Sequence, residues 1–435
     1  MIRERTAGVA VLGGGPAGLA AARAAAEAGA KVLLIEREER LGGILKQCVH
    51  DGFGVLRHKT ALTGPEYAAR EAEAFRASGA GELLEAYLAG ARRVEGGFEL
   101  DCVSRAGADR IRAAALVLAT GCRERTDRQV FIHGDRPAGI YTAGLAQYFV
   151  NIQGCLPGRR VLILGSGDIG LIMARRLTLE GAEVVGVLEA KAEPSGLSRN
   201  VRQCLEDYGI PLSLSSTVTA VHGRRRVEGV VAAAVDARMR PSPGSEREIS
   251  CDTLVLSVGL IPENEVALGL GVPLDPATKG PKVDQDMHTL VDGVFACGNA
   301  VHVHDLADYV SESGERAGAA AARWALGGPR PRELSRLAAG PGFLYAVPQY
   351  IDANGGAAPI AYFRAAASMP DGAALRLLGG REARGRTGGA AGEGVELLSR
   401  RYAALRPPEM ERLSLPDACL RSAGLALELS RREEG

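Results

Sequence analysis

Two glycine runs in this chain have the spacing that a phosphate-bearing ligand demands. Gly13-Gly14-Gly15-Pro16-Ala17-Gly18 and Gly165-Ser166-Gly167-Asp168-Ile169-Gly170 both read G-x-G-x-x-G. The first glycine of such a run permits a tight turn from strand to helix. The second lets a diphosphate approach the main chain with no Cβ in the way, and the third lets the helix pack closely on the sheet. The diphosphate then rests on unpaired N–H groups at the positive end of the helix. An acid completes each pattern: Val32 to Ile35 leads to Glu36 and its neighbour Arg37, and Val184 to Leu188 leads to Glu189. Each carboxylate is placed to accept the hydroxyls of an adenosine ribose. A single glycine-rich turn is compatible with a helix–sheet unit that binds nothing. Two, each with its strand, helix and acid, point to two bound dinucleotides.

Other side chains near these runs carry chemistry of their own. Cys48 and His50 lie between Gly42 and Gly54. Cys48 is a candidate redox thiol, with pocket lining or packing as the alternative, and His50 a candidate proton donor, with satisfying a loop carbonyl as the alternative. His302 and His304 stand one residue apart, and no triad with carboxylate or cysteine accompanies them, so positioning or proton relay is favoured over a metal. Cys48, Cys102, Cys122, Cys155, Cys204, Cys251, Cys297 and Cys419 are scattered singly, with no C-x-x-C pair. That argues against an iron–sulfur cluster, a structural zinc site or a local redox disulfide, and no metal is expected.

The elements that must position these residues are legible as apolar runs. Val9 to Leu12 and Val161 to Leu164 are the strands that enter the glycine turns. A helix is expected over Pro65 to Ala77 and a strand over Phe98 to Val103; Ala115 to Ala119 is another strand, ending in Thr120-Gly121. Thr253 to Val258 ends likewise at Gly259, and Gly293 to Ala300, containing Gly298-Asn299, precedes a long helix from about Leu306 to Leu326. First site, second site, return segment: this order predicts that residues 126–255 are inserted into a domain made of residues 1–125 and 256–330. Short alternating runs punctuated by glycine and proline predict a small β-rich domain over residues 340–435. The expected class is α/β with two Rossmann-like domains.

Composition excludes several function classes. Lys+Arg and Asp+Glu both total 52 in 435 residues, so net charge gives no sign of a nucleic-acid partner. No apolar run reaches the roughly 20 residues of a membrane-spanning helix. The first strand begins too near the start for a signal peptide, and a cytoplasmic protein is expected.

The strand ending in Ala119-Thr120-Gly121, the second glycine run and the segment Gly293-Val294-Phe295-Ala296-Cys297-Gly298-Asn299 together resemble the pyridine nucleotide-disulfide oxidoreductase superfamily, over about residues 5 to 330. The resemblance implies FAD in the first site, a nicotinamide nucleotide in the inserted domain, and contact of Gly298-Asn299 with the flavin's ribityl chain. Asn299 stands where the superfamily usually has Asp. Gly43, Ile44, Thr120, Gly121 and Gly259 fall among the implied cofactor-binding positions. Residues 42–54, 62–67 and 301–305 resemble, more narrowly, a bacterial and archaeal subgroup found alongside a flavin-dependent glycerol-3-phosphate dehydrogenase-like partner.

With both nucleotides bound, hydride is expected to pass between nicotinamide and flavin where the domains meet, the protein supplying orientation and electrostatics. The helix from Leu306 is expected to aim its positive end at the flavin's pyrimidine edge. Glu189 favours NAD over NADP because a carboxylate repels a ribose phosphate, although Lys191 lies nearby. The paired cysteines of the disulfide reductases are missing. The favoured reading is an FAD-dependent, NAD-linked oxidoreductase relaying electrons to or from a partner dehydrogenase subunit, within an oligomer or hetero-complex. The alternatives are a stand-alone NADH oxidase, peroxidase or thiol reductase using Cys48, and a redox-sensing flavoprotein interaction module.

Overall fold

The computed structural model describes residues 2–380 and 394–431. Among them run seven α-helices: α1 (Pro16–Glu27), α2 (Gly64–Ala77), α3 (Ala143–Asn151), α4 (Asp168–Leu179), α5 (Ser198–Cys204), α6 (Glu265–Gly269) and α7 (Ala307–Gly327). The chain divides into two compact units, Met1–Cys122 with Pro262–Gly435, and Arg123–Ile261. The second is an insertion in the first. The division falls a few residues from the boundaries read off the sequence, and the carboxy-terminal residues group with the first unit instead of standing alone. Residues 381–393 and 432–435 of that expected module lie outside the described residues.

The first unit is built on a sheet of β1 (Ile2–Leu12), β2 (Val32–Ile35), β3 (Gly81–Leu83), β4 (Tyr87–Val94), β5 (Gly97–Ser104) and β6 (Gly107–Leu118), in the order β3-β2-β1-β6-β5-β4. Strand Val294–Ala296 adds to β6. β1 pairs in parallel with both β2 and β6, so the centre of the sheet is covered on both faces and its residues, Val9, Ala10 and Val11, are fully buried. α2 starts where it does because Thr63 and Glu66 cap it reciprocally. The Thr63 hydroxyl accepts from Glu66 N at 3.4 Å, and the Glu66 carboxylate accepts from Thr63 N at 2.8 Å. Small residues set the approach of α7 to α1. A Cβ on Gly314 would stand 2.1 Å from the carbonyl oxygen of Ala17, and one on Gly318 2.0 Å from that of Ala21.

Among the described residues the carboxy-terminal module forms two sheets. One runs Tyr350–Asp352, Leu334–Ala339, Leu425–Arg431, Ala373–Gly379, Val395–Tyr402, and the other Phe343–Val347, Ile360–Ala365, Glu411–Ser414. Phe363, Leu375, Leu377, Leu413 and Leu427 form its own core. Buried polar brackets tie it to the rest of the unit. Gln285 Nε2 donates to the Asp352 carbonyl at 2.7 Å while Asp352 N donates to Gln285 Oε1 at 2.8 Å. The Asp286 carboxylate accepts from Arg323, Arg330 and the backbone of Gly356 and Ala357, all within 3.1 Å.

The inserted unit has an all-parallel sheet in the order Leu212–Ser213, Glu183–Leu188, Arg160–Leu164, Thr253–Leu256, Ile140–Thr142. Ile163, Leu171, Val187 and Val255 are completely buried between this sheet and its helices. A second sheet, Arg247–Ser250, Gly229–Ala234, Ser216–His222, His133–Gly134, accompanies it.

Gly318→Val should force α1 and α7 apart. The expected loss is about 1–3 kcal/mol, the usual cost of overpacking, read by chemical denaturation. Gly327→Ala, with nothing within 4 Å of the new Cβ, should be neutral.

Candidate functional site

Each glycine run forms the same strand–turn–helix device. In the first unit Gly13 turns at φ 106°, and a Cβ there would lie 2.4 Å from the carbonyl oxygen of Ala119. A Cβ on Gly18 would lie 1.8 Å from Gly13 O, so the third glycine is required by the turn itself. In the inserted unit Gly165 turns at φ 100° with Ser257 O 2.1 Å from the would-be Cβ, and Gly170 is confined by Gly165 O and Ser257 Cβ. The middle glycines differ from these. A Cβ on Gly15 would meet nothing nearer than Gly43 Cα at 3.9 Å, and one on Gly167 nothing nearer than Ser257 Oγ at 3.7 Å. Gly15 and Gly167 are the N-caps of α1 and α4, neither with a side-chain cap, and Pro16 sits in the first turn of α1. Space and unpaired N–H groups coincide at both helix ends, including those of Ala17 and Ile169, which fits a diphosphate at each.

The acids are held in matching ways. Glu36 is buried; its Oε2 accepts from Gly14 N at 2.6 Å and its Oε1 from Glu38 N at 2.8 Å. Glu189 is equally buried; its Oε2 accepts from Ser166 N at 3.0 Å and its Oε1 from Lys191 N at 3.0 Å. In both units the second residue of the glycine run and the residue two beyond the acid donate to opposite oxygens of one carboxylate. Arg37, next to Glu36, is exposed. Ser166 adds its hydroxyl, which donates to Glu189 Oε2 at 2.6 Å and accepts from Ser195 N at 2.9 Å. Asp168 is engaged as a loop anchor: its Oδ1 accepts from Leu197 N at 2.9 Å and Asn200 Nδ2 at 2.7 Å.

Other expected positions gather around the first turn. Gly43 packs on Gly15, and the neighbouring Ile44 side chain is 59% exposed. Gly298 presses on Ala17, a Cβ there being 2.7 Å from Ala17 Cβ, so Asn299 lies beside the start of α1. The Thr120 hydroxyl donates to the Glu263 carbonyl at 2.6 Å, and Glu263 N donates back to Gly121 O at 3.0 Å, which locks that turn. Gly259 turns at φ 103° in the inserted unit with its would-be Cβ side open apart from Arg125 at 3.9 Å.

The segment carrying Cys48 and His50 is clamped at its far end by Arg57. Arg57 N donates to Asp308 Oδ1 at 3.0 Å, and its guanidinium grips Glu71 at 2.8 and 3.1 Å and Glu315 at 2.7 Å. Sequence reasoning missed this clamp, since nothing in spacing links residues 57, 71, 308 and 315. Cys48 Sγ donates to Ile44 O at 3.4 Å, and burial pushes its thiol up to about 12. His50 Nδ1 is 3.0 Å from the Asp51 carbonyl and its ring leans on Phe53. Among the described residues no cluster of three or more His, Cys, Asp or Glu side chains is arranged to hold a metal.

Two acid-pinned dinucleotide turns, one unit interrupting the other, define a class of α/β protein that handles two nucleotides. The family follows from comparison. The model of the pyridine nucleotide-disulphide oxidoreductase family matches residues 7–322, and the chain belongs to that family and is an oxidoreductase. An opine oxidase subunit from Agrobacterium tumefaciens (strain Ach5) is 27% identical over 320 residues, covering 67% of this chain and 61% of that protein. The alpha subunit of sarcosine oxidase from Corynebacterium sp. (strain U-96) is 31% identical over 265 residues, 58% of this chain and 26% of that protein. The chain thus spans less than two thirds of the length of these curated relatives. Among solved structures, the thioredoxin reductase of T. acidophilum shares the fold, with TM-score 0.59 and 23% identity over 74% of this chain and 99% of that one.

Glu36→Ala leaves two inward-facing N–H groups without their acceptor, at about 1–3 kcal/mol each. Lowered thermal stability and faster loss of bound nucleotide on gel filtration are expected. Cys48, raised to about 12, has roughly a thousandfold less thiolate at pH 8 than an ordinary thiol. Iodoacetamide should therefore label exposed Cys155 in the folded protein well before Cys48, a rank order that peptide mass spectrometry reads directly.

Proposed function

We propose that this chain is the FAD- and NAD(H)-binding component of a larger cytoplasmic assembly, exchanging electrons between NAD(H) and a partner dehydrogenase or oxidase subunit. The observation that carries this reading is the pair of matched acid-pinned turns, combined with eight cysteines none of which forms a disulfide. Bound flavin and nicotinamide supply the hydride chemistry, as cofactors do in such proteins. The chain's own residues bind and orient. The N–H groups after Gly15 and Gly167 receive the diphosphates, and Glu36 and Glu189 fix the ribose ends. We assign FAD to the first turn, beside Gly43 and Asn299, and NAD to the second, where Glu189 opposes a ribose phosphate.

Support for a partner comes from two directions. The relatives are subunits by name, of opine oxidase and sarcosine oxidase. Against a thiol route through Cys48, desolvation of this half-buried thiol raises its pKa and so lowers its thiolate content and nucleophilicity. The glycerol-3-phosphate dehydrogenase-like partner remains the specific candidate proposed from residues 42–54, 62–67 and 301–305.

Anaerobic titration with NADH should bleach the flavin after two electrons per FAD, and Cys48→Ser should leave that stoichiometry unchanged. Uptake of four electrons, reduced to two in the variant, would instead establish the thiol route. NADH should reduce the flavin faster than NADPH, and Glu189→Ala should narrow the difference.

A further inference from the structure

Asn299 sits on the turn Gly298–Ala300, against the start of α1, and both ends of its amide are engaged. Its Nδ2 donates to Cys122 Sγ at 3.7 Å, while its Oδ1 accepts from His304 N at 3.0 Å and lies 3.3 Å from His304 Nδ1. The backbone donor fixes which end of the amide faces His304. Because that end can only accept, the ring proton of His304 belongs on Nδ1. Behind His304 lies His302, the two rings 3.9 Å apart between centroids. Behind His302 stand Tyr345 and Tyr362, at 5.6 and 5.7 Å, both from the three-stranded sheet of the carboxy-terminal module. A continuous series of tilted and edge-on ring contacts therefore runs from that module to the amide beside the first glycine turn.

Both imidazoles are buried, 2% and 9% exposed, and His302 Nδ1 and His304 Nε2 have no partner. The charged groups around them are paired among themselves. Arg364 donates to Tyr345 Oη at 2.8 Å and to Asp305, while Glu312 takes Tyr362 Oη and, at 2.6 and 3.0 Å, Arg412. Burial, with His304 and then Arg364 adding for His302, pushes both rings well below the ordinary histidine range; for His304 burial outweighs a raising backbone hydrogen bond to His302 and leaves it at about 3. Burial thus favours the uncharged form of both rings, and Asn299 fixes the tautomer of His304.

We propose that His304 is a positioning residue that sets Asn299 against the first nucleotide, and that through His302 the carboxy-terminal module adjusts the redox poise of the flavin held there. The inference rests on the assignment of FAD to the first turn. Two measurements separate their failures. Absorbance of the purified protein, with FAD added, reads whether the first turn binds flavin at all; its failure in the unaltered protein would remove the functional reading. The ratio of reduced to oxidised flavin, poised against a dye of known potential, reads the inference.

His304→Leu, with FAD still stoichiometric, is expected to move that ratio about tenfold, which for a two-electron couple is ~30 mV. His304→Gln, which restores a donor to Asn299, should recover most of the change. In an Asn299→Ala background His304→Leu should add nothing further, since one acts through the other. His302→Leu, which leaves the His304–Asn299 bonds in place, should shift the ratio in the same direction and serves if His304→Leu does not fold. A full complement of FAD with an unchanged ratio in these variants, or shifts that simply add in the double variant, would overturn the proposal.

Discussion

A diphosphate can meet a protein main chain only where no side chain stands between them, and that constraint shapes both units. The outer glycines of each run are fixed by the protein itself, because a Cβ at Gly13, Gly18, Gly165 or Gly170 collides with atoms of the turn or of a neighbouring strand. The middle glycines face open space, which is the space a ligand takes. Holding such a turn rigid requires a partner for its inward N–H, and each unit recruits the carboxylate at the end of the second strand. Glu36 and Glu189 are thereby structural acceptors that hold the turns in place. These backbone donors offset the cost of burying both carboxylates.

Around the first turn the same economy of space recurs. α7 reaches α1 at backbone distance through Gly314 and Gly318, and this brings the start of α7 and the Gly298–Ala300 turn against the first glycine run. Two further layers then close on the amino-terminal half of α7. Arg57 ties the Cys48-bearing segment to Asp308 and Glu315, and Arg412 with Tyr362 ties the carboxy-terminal module to Glu312. The amino-terminal half of this 21-residue helix is thus framed by hydrogen bonds and ion pairs to Asp308, Glu312 and Glu315.

The chemistry that the family shares is carried by cofactors, so the individuality of this chain lies in what surrounds them. No cysteine pair completes an internal electron path. In its place the described residues offer a half-buried thiol at Cys48, whose pKa desolvation raises, and a pair of buried imidazoles in contact with tyrosines of the β module.

Legible in the sequence were the α/β class, the strand–glycine turn–helix order at residues 13 and 165 with an acid after each following strand, and helices α2 and α7 to within a residue or two. These are local signals: a glycine spacing, an apolar period and a cap act over a few residues and can be read without knowing what they touch. Tertiary structure alone decided what each side chain spends its hydrogen bonds on. Asp168, at a ligand-facing position in the motif, anchors residues 197 and 200; Thr120 locks a turn to residue 263; His304 grips Asn299 beneath tyrosines some 40 to 60 residues further on. Arg57 finds acids 14 and 258 residues away. Pairings of that kind depend on which surfaces the packed sheets bring together, and no periodicity along the chain encodes them.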